Sequence, residues 1–206
     1  IWRDLLDLPV VSELLECLIG NPNLLKARKE KYEVPLPTFR LDHINVHTHV
    51  QKGFEGGRLH GGWNGTAGLY RYDNGVMYNG LTTVSFELFD TKPNNGGFAC
   101  IPGSHKANVQ LPEKWRDLST GVNECIERVA AKPGDAIIFT EALTHGTLPW
   151  EVDEKRTTVF YKFSPHALTW SADFFNPDDF VGYEDMNRRK LALLEKPNAR
   201  YPQRPR

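Results

Sequence analysis

The chain has 206 residues, with 25 Lys+Arg against 26 Asp+Glu and a formal net charge of −1; 40% of its residues are hydrophobic and 25% charged. That composition suits one domain with a sizeable core and excludes a polybasic nucleic-acid binder. No apolar run reaches the roughly 18 residues a membrane span needs, and the mixed-charge run 26–31 reads as a solvated helix end rather than a phosphate-binding patch.

In chain order, residues 3–19 carry leucines at helical spacing, with Pro9 splitting the segment. The run 43–50 alternates with period two and reads as a strand, with His43, Asn45, His47 and His49 on one face. Strands flank Asp73-Asn74-Gly75, whose Asn-Gly is a hairpin signal. A β-branched and aromatic run over 81–89 predicts a core strand. Residues 98–101, 125–129, 136–139 and 157–163 predict further strands, residues 111–120 a short helix, and residues 179–194 a polar helical region. Many short strands joined by Gly/Pro/Asn turns suggest a mainly β jelly roll with flanking helices. The expectation is a single domain over 1–206, trimmed at its N-terminus because the chain starts at Ile1. Cys17, Cys100 and Cys125 form no pairing framework, which favours a reducing, cytoplasmic setting.

The candidate chemistry lies in a divided set of residues. His60 sits in the glycine-rich stretch 56–62, and His145 follows the predicted strand 136–139. Both are strand-end or loop positions, where a sheet can present ligands. Two histidines and a carboxylate on one face make a non-haem Fe(II) site and leave the opposite face open. Spacing alone favours a plainer reading, a pair of surface or hydrogen-bonded imidazoles. Arg156 opens a strand with apolar neighbours, and its planar fork suits a carboxylate; taken alone, it fits a surface salt bridge better.

The ordered set His60, Pro102-Gly103-Ser104-His105-Lys106, His145-Gly146-Thr147 and Arg156 resembles the phytanoyl-CoA dioxygenase-like family of Fe(II)/2-oxoglutarate oxygenases. Its most specific piece is Leu88-Phe89-Asp90 followed by Asn95-Gly96-Gly97 and the Pro-Gly-Ser-His-Lys run. The resemblance implies a double-stranded β-helix, a jelly roll of cupin-like form. It implies Fe(II) held by His60 and His145, and 2-oxoglutarate whose far carboxylate pairs with Arg156, eleven residues past His145. Thr147 would assist Arg156, and Tyr78 is a further cosubstrate contact. The Pro-Gly-Ser-His-Lys loop would shape the rim of the site.

Position 62 departs from the family pattern. A carboxylate is expected two residues past the first histidine, and this chain reads His60-Gly61-Gly62. A carboxylate from elsewhere could complete the site: Glu141, four residues before His145, is best placed by sequence, with Glu87 and Asp42 behind it. Alternatively, water or chloride fills the open position, and His-x-Gly resembles the 2-oxoglutarate-dependent halogenases. A third alternative is a non-catalytic β-barrel that binds a small molecule; a cupin-type isomerase ranks behind it because its metal site would carry more ligands. The leading reading is oxidation, most simply hydroxylation, of a C–H bond in a small organic substrate, with release of succinate and carbon dioxide. Substrate contact candidates are His47, His49, Trp63, Tyr70 and His105. No nucleic-acid partner is expected, and oligomeric state is left open.

Overall fold

The structure is a computed structural model, and it describes residues 1–20, 36–62, 68–107, 109–118 and 121–199. Pro9 does split the N-terminal segment: a 3-10 turn covers Trp2–Asp7, and helix α1 (Pro9–Leu18) starts with the proline at its first position, where no N–H is needed. The strands are β1 (Phe39–His49), β2 (Tyr70–Asp73), β3 (Val76–Asn79), β4 (Thr82–Glu87), β5 (Gly97–Cys100), β6 (Glu127–Arg128), β7 (Ala136–Thr140), β8 (His145–Leu148) and β9 (Arg156–Pro165). The expected helix at 111–120 is a single 3-10 turn, Glu113–Trp115. The expected helical region at 179–194 is a 3-10 turn at Pro177–Phe180 and helix α2 (Arg188–Leu193).

The jelly-roll, double-stranded β-helix expectation is corrected by the strand pairing. The fold is mixed α/β with three separate open sheets, ordered β1-β9-β4-β7, β2-β3 and β6-β5-β8, and none closes into a barrel. Closure needs continuous ladders between sheets. Outside the strands, the described residues make only single bridges, His60 with His145 and Thr91 with Ala131. Turn-separated short strands predict antiparallel pairing, but they do not determine how sheet edges end.

The four-stranded sheet has two chemically different faces. Val84 and Phe86 of β4 and Val159, Tyr161 and Phe163 of β9 join the main core with α1, α2 and the first 3-10 turn. The opposite face carries Thr83, Ser85 and Glu87 of β4 in direct register with Lys162, Phe160 and Thr158 of β9, and Arg156 begins β9 opposite His49 of β1. Strand alternation puts the two sets on opposite sides. All of β4 is nevertheless buried, so its polar side must face an enclosed, hydrogen-bonded interior.

β1 reaches that interior through an irregularity. Leu41 pairs with Phe163 and His43 with Lys162, so Asp42 has no cross-strand partner. One extra residue reverses the facing of everything after it. Phe39 and Leu41 enter the apolar core, whereas Asn45 and His47 line the polar side. Asp42 is fully buried and holds the bulge. Its carboxylate accepts hydrogen bonds from Arg40, His43, the Thr169 hydroxyl and the Trp170 and Ser171 N–H groups. Burial alone would raise its pKa, but these donors hold it well below the usual carboxylate range. Asp42 is therefore fully occupied and is no iron-site carboxylate.

Candidate metal centre

The two histidines are brought together by backbone pairing. His60 N–H donates to the His145 carbonyl and His145 N–H donates to that of His60, each at 2.9 Å. The ring centroids lie 4.3 Å apart. Gly61 is required by this approach: at φ +105° a Cβ there would stand 2.1 Å from the Leu143 carbonyl oxygen. Each ring is oriented through Nδ1, which donates to a backbone carbonyl two residues earlier. His60 uses Arg58 at 3.0 Å and His145 uses Leu143 at 2.7 Å. A carbonyl only accepts, so the proton is on Nδ1 and the Nε2 lone pair is free to ligate. Burial pushes the His145 pKa down to about 4, with Glu141 opposing and His60 assisting, which keeps the ring neutral at physiological pH.

Glu141 completes the cluster. Donor atoms of His60, Glu141 and His145 all lie within 4.8 Å of one another. Glu141 follows β7 directly, and a tight turn closed by the Leu143 N–H to Thr140 carbonyl bond brings the chain round to His145. Its Oε2 is 3.7 Å from His145 Nε2. Its Oε1 accepts from the Thr83 hydroxyl and from Lys162 Nζ, each at 2.8 Å. Burial opposes the charged form, but the imidazole, Lys162 and Thr83 hold the pKa below its ordinary value. Gly62 lies beside this cluster at φ +70°, and among the described residues a Cβ there would meet the Ala142 carbonyl oxygen at 3.6 Å and the Thr144 hydroxyl at 3.9 Å.

A cavity of about 80 Å³ opens on the histidines, lined by Asn45, His47, Thr147 and Lys162 with Phe98, Phe139 and Phe160. His47 packs edge-on against Phe160 at 4.7 Å. A second cavity of about 340 Å³ shares His60 in its wall, together with Gly61, Gly62 and the Pro102, Gly103 and Ser104 of the Pro-Gly-Ser-His-Lys loop.

The remaining expected residues are dispersed. Arg156 is 2% exposed, and its Nη2 pairs with Glu87 Oε2 at 3.2 Å. Glu87 in turn accepts from Ser85 at 2.8 Å and Thr158 at 2.7 Å, so it belongs to Arg156 and not to the histidines. Arg156 Nε is buried with no hydrogen-bond partner among the described residues. His49 lies apart from the cavity, 4.3 Å from Phe54 and 6.3 Å from Trp150. Tyr70 and His105 pack on each other edge-on at 5.0 Å. Tyr78 lies on the separate hairpin, half exposed under the Arg71 guanidinium. Trp63 and the run 26–31 fall outside the described residues. Sequence reasoning passed over Lys162 and Thr83. Their signal was a lone lysine in the apolar run 157–163 and alternating hydroxyls in a strand read as core.

The comparisons fit this geometry. The phytanoyl-CoA dioxygenase (PhyH) family matches residues 2–157. The chain belongs to that family. Membership makes it an enzyme of the Fe(II)- and 2-oxoglutarate-dependent class, which oxidises small organic molecules, and the non-catalytic and isomerase alternatives give way. No curated protein matches the chain. Among solved structures it is similar to HygX from Streptomyces hygroscopicus with nickel and 2-oxoglutarate bound, at 20% identity and a TM-score of 0.63, covering 82% of this chain and 66% of that one. HygX with iron bound gives 20% identity, a TM-score of 0.64 and coverage of 82% and 70%. ThoJ, a non-haem monooxygenase in a nickel complex, gives 14% identity, a TM-score of 0.53 and coverage of 82% and 55%. At these identities the likeness is one of fold. No helix among the described residues is long and apolar enough to cross a membrane.

Proposed function

We propose that this family member hydroxylates a C–H bond of a small organic molecule, with Glu141 supplying the carboxylate ligand that Gly62 cannot. The observation that carries the reading is the convergence of the His60, Glu141 and His145 donor atoms within 4.8 Å. Two imidazoles, each with Nδ1 committed to a carbonyl, and one carboxylate are a donor set suited to Fe(II) with positions left open. When bound, iron with 2-oxoglutarate supplies the oxidising power, and succinate and carbon dioxide are released.

The chain's own part is positioning and exclusion. The unpartnered, buried Nε of Arg156 supports a role in pairing with the cosubstrate's far carboxylate, and Thr147 in the cavity wall supports the assisting role. Glu87 then holds the other side of the guanidinium. Phe98, Phe139 and Phe160 exclude water from the cavity, which strengthens the electrostatics within it. Asn45 and His47 stand where a polar group of the substrate would meet the wall. HygX, similar in fold, has been solved with hygromycin B bound, which supports a small organic molecule as the substrate class.

Glu141 also bears on chloride. A halide in place of the missing acid would supply one negative charge beside the iron, and Glu141 already supplies it. Halogenation is therefore the lesser reading. The three unpaired thiols, Cys17, Cys100 and Cys125, suit a cytoplasmic setting.

The test is anaerobic Fe(II) titration of the wild type and Glu141→Ala, followed by product analysis with and without chloride. Glu141→Ala is expected to lose more than the about tenfold to hundredfold seen when a ligand's supporting partner is removed. Undiminished iron binding in Glu141→Ala, or a chlorinated product from the wild type, would overturn the reading.

A further inference from the structure

We propose that Thr83 and Lys162 are positioning residues of the iron site: they hold one oxygen of Glu141 so that the carboxylate ligates through the other oxygen alone. The inference rests on Glu141 being the third ligand.

The two oxygens of Glu141 have different surroundings. Oε1 has two donors, Thr83 Oγ1 and Lys162 Nζ, both at 2.8 Å. Oε2 is the oxygen turned towards His145 Nε2. The donors themselves are fixed by the sheet. Thr83 and Lys162 are directly opposite each other on β4 and β9, so one rung of the four-stranded sheet supplies both. Thr83 is fully buried and the Lys162 side chain is 18% exposed. A partly buried lysine arm, fixed by the sheet at its backbone and by Glu141 at its tip, loses little further freedom when the ligand is fixed.

The need for such a hold follows from where the carboxylate originates. At position 62 it would be carried on the His60 segment, whose backbone is tied to His145. At position 141 it comes from the end of another strand, on a side chain with one more rotatable bond. Left free, a glutamate can swing or chelate with both oxygens, and chelation would close a coordination position that the open face must keep for the cosubstrate or oxygen. Ion pairing between Lys162 and Glu141 for stability alone would not require that Thr83 share the same oxygen.

Cobalt(II) titration of the metal-free protein tests this, read by affinity, by the visible absorption of the bound ion and by melting temperature. Thr83→Val and Lys162→Met are expected to weaken cobalt binding by about tenfold to hundredfold and to change the absorption band shape. Thr83→Ser, which keeps the hydroxyl, is expected to recover the wild-type affinity and spectrum. If Lys162→Met lowers the melting temperature enough to confuse its titration, the Thr83 pair decides. Wild-type affinity and spectrum in Thr83→Val overturn the positioning role. Glu141→Ala in the same titration separates the two levels. Loss there with an unaffected Thr83→Val overturns only the positioning, whereas wild-type binding there overturns the ligand reading beneath it.

Discussion

At the residue scale, the centre is defined by which atom of each side chain is left free. His60 and His145 each commit Nδ1 to a backbone carbonyl, and Glu141 commits Oε1 to Thr83 and Lys162. What remains is two Nε2 lone pairs and one carboxylate oxygen. The family pattern in the sequence picks out the two histidines that meet here, whereas spacing leaves Glu141 one acid among three, because nothing in spacing shows which acid already has partners. Asp42 has four donor residues besides His43, and Glu87 has three. Glu141 alone turns an oxygen towards the imidazoles. Gly62 offers a complementary test. Among the described residues a Cβ there meets nothing closer than 3.6 Å, although φ is +70°. In a Glu141→Ala background, Gly62→Asp is expected to restore part of the cobalt affinity, at a backbone cost of about 1 kcal/mol. A double variant that binds no better than Glu141→Ala would show that position 62 does not point a carboxylate at the ion.

At the element scale, the decisive feature is the bulge in β1. Period-two alternation correctly groups Asn45, His47 and His49 on one face of a strand. It does not say which face is the interior, since Phe39 and Leu41, of the same parity, lie in the apolar core. The extra residue, Asp42, reverses the strand between them. That residue is stabilised by groups from 169–171 that sequence proximity does not reveal. Asp42→Ala would leave the Arg40 guanidinium, 0% exposed, without its ion-pair partner. The expected cost is about 3–5 kcal/mol in urea unfolding, as for other broken buried pairs. A loss under about 1 kcal/mol would mean that the Glu195 carbonyl and Ser164 contacts of Arg40 suffice.

At the scale of the whole molecule, the polar interior between the sheets makes stability depend on pH. Burial holds His145 at about 4, against the ordinary 6.5 of an imidazole. Between those values the unfolded chain binds more protons than the folded one, so stability falls as pH drops from about 6.5 to about 4, by up to about 1.4 kcal/mol per pH unit. Asp42 acts at lower pH: its folded pKa is depressed, so its contribution is present above the ordinary value of 3.8 and is lost as pH falls further. Urea midpoints of the metal-free protein are expected to decline steadily from about pH 7 to about pH 5. Equal midpoints over that range would mean that His145 titrates normally. The short strands and their turns could be read from the sequence, whereas the three open sheets could not, because edge termination depends on loops packing over the ends and not on any periodic pattern.

The corner between β7 and β8 places two of the three donors, Glu141 and His145, on one short stretch of chain closed by its own hydrogen bond. Assembling the centre therefore joins only two pieces of polypeptide, that corner and the glycine-flanked strip bearing His60. The strip is already latched to the corner by the reciprocal His60–His145 backbone bonds, so an arriving cation meets a clasp that the chain has fastened by itself.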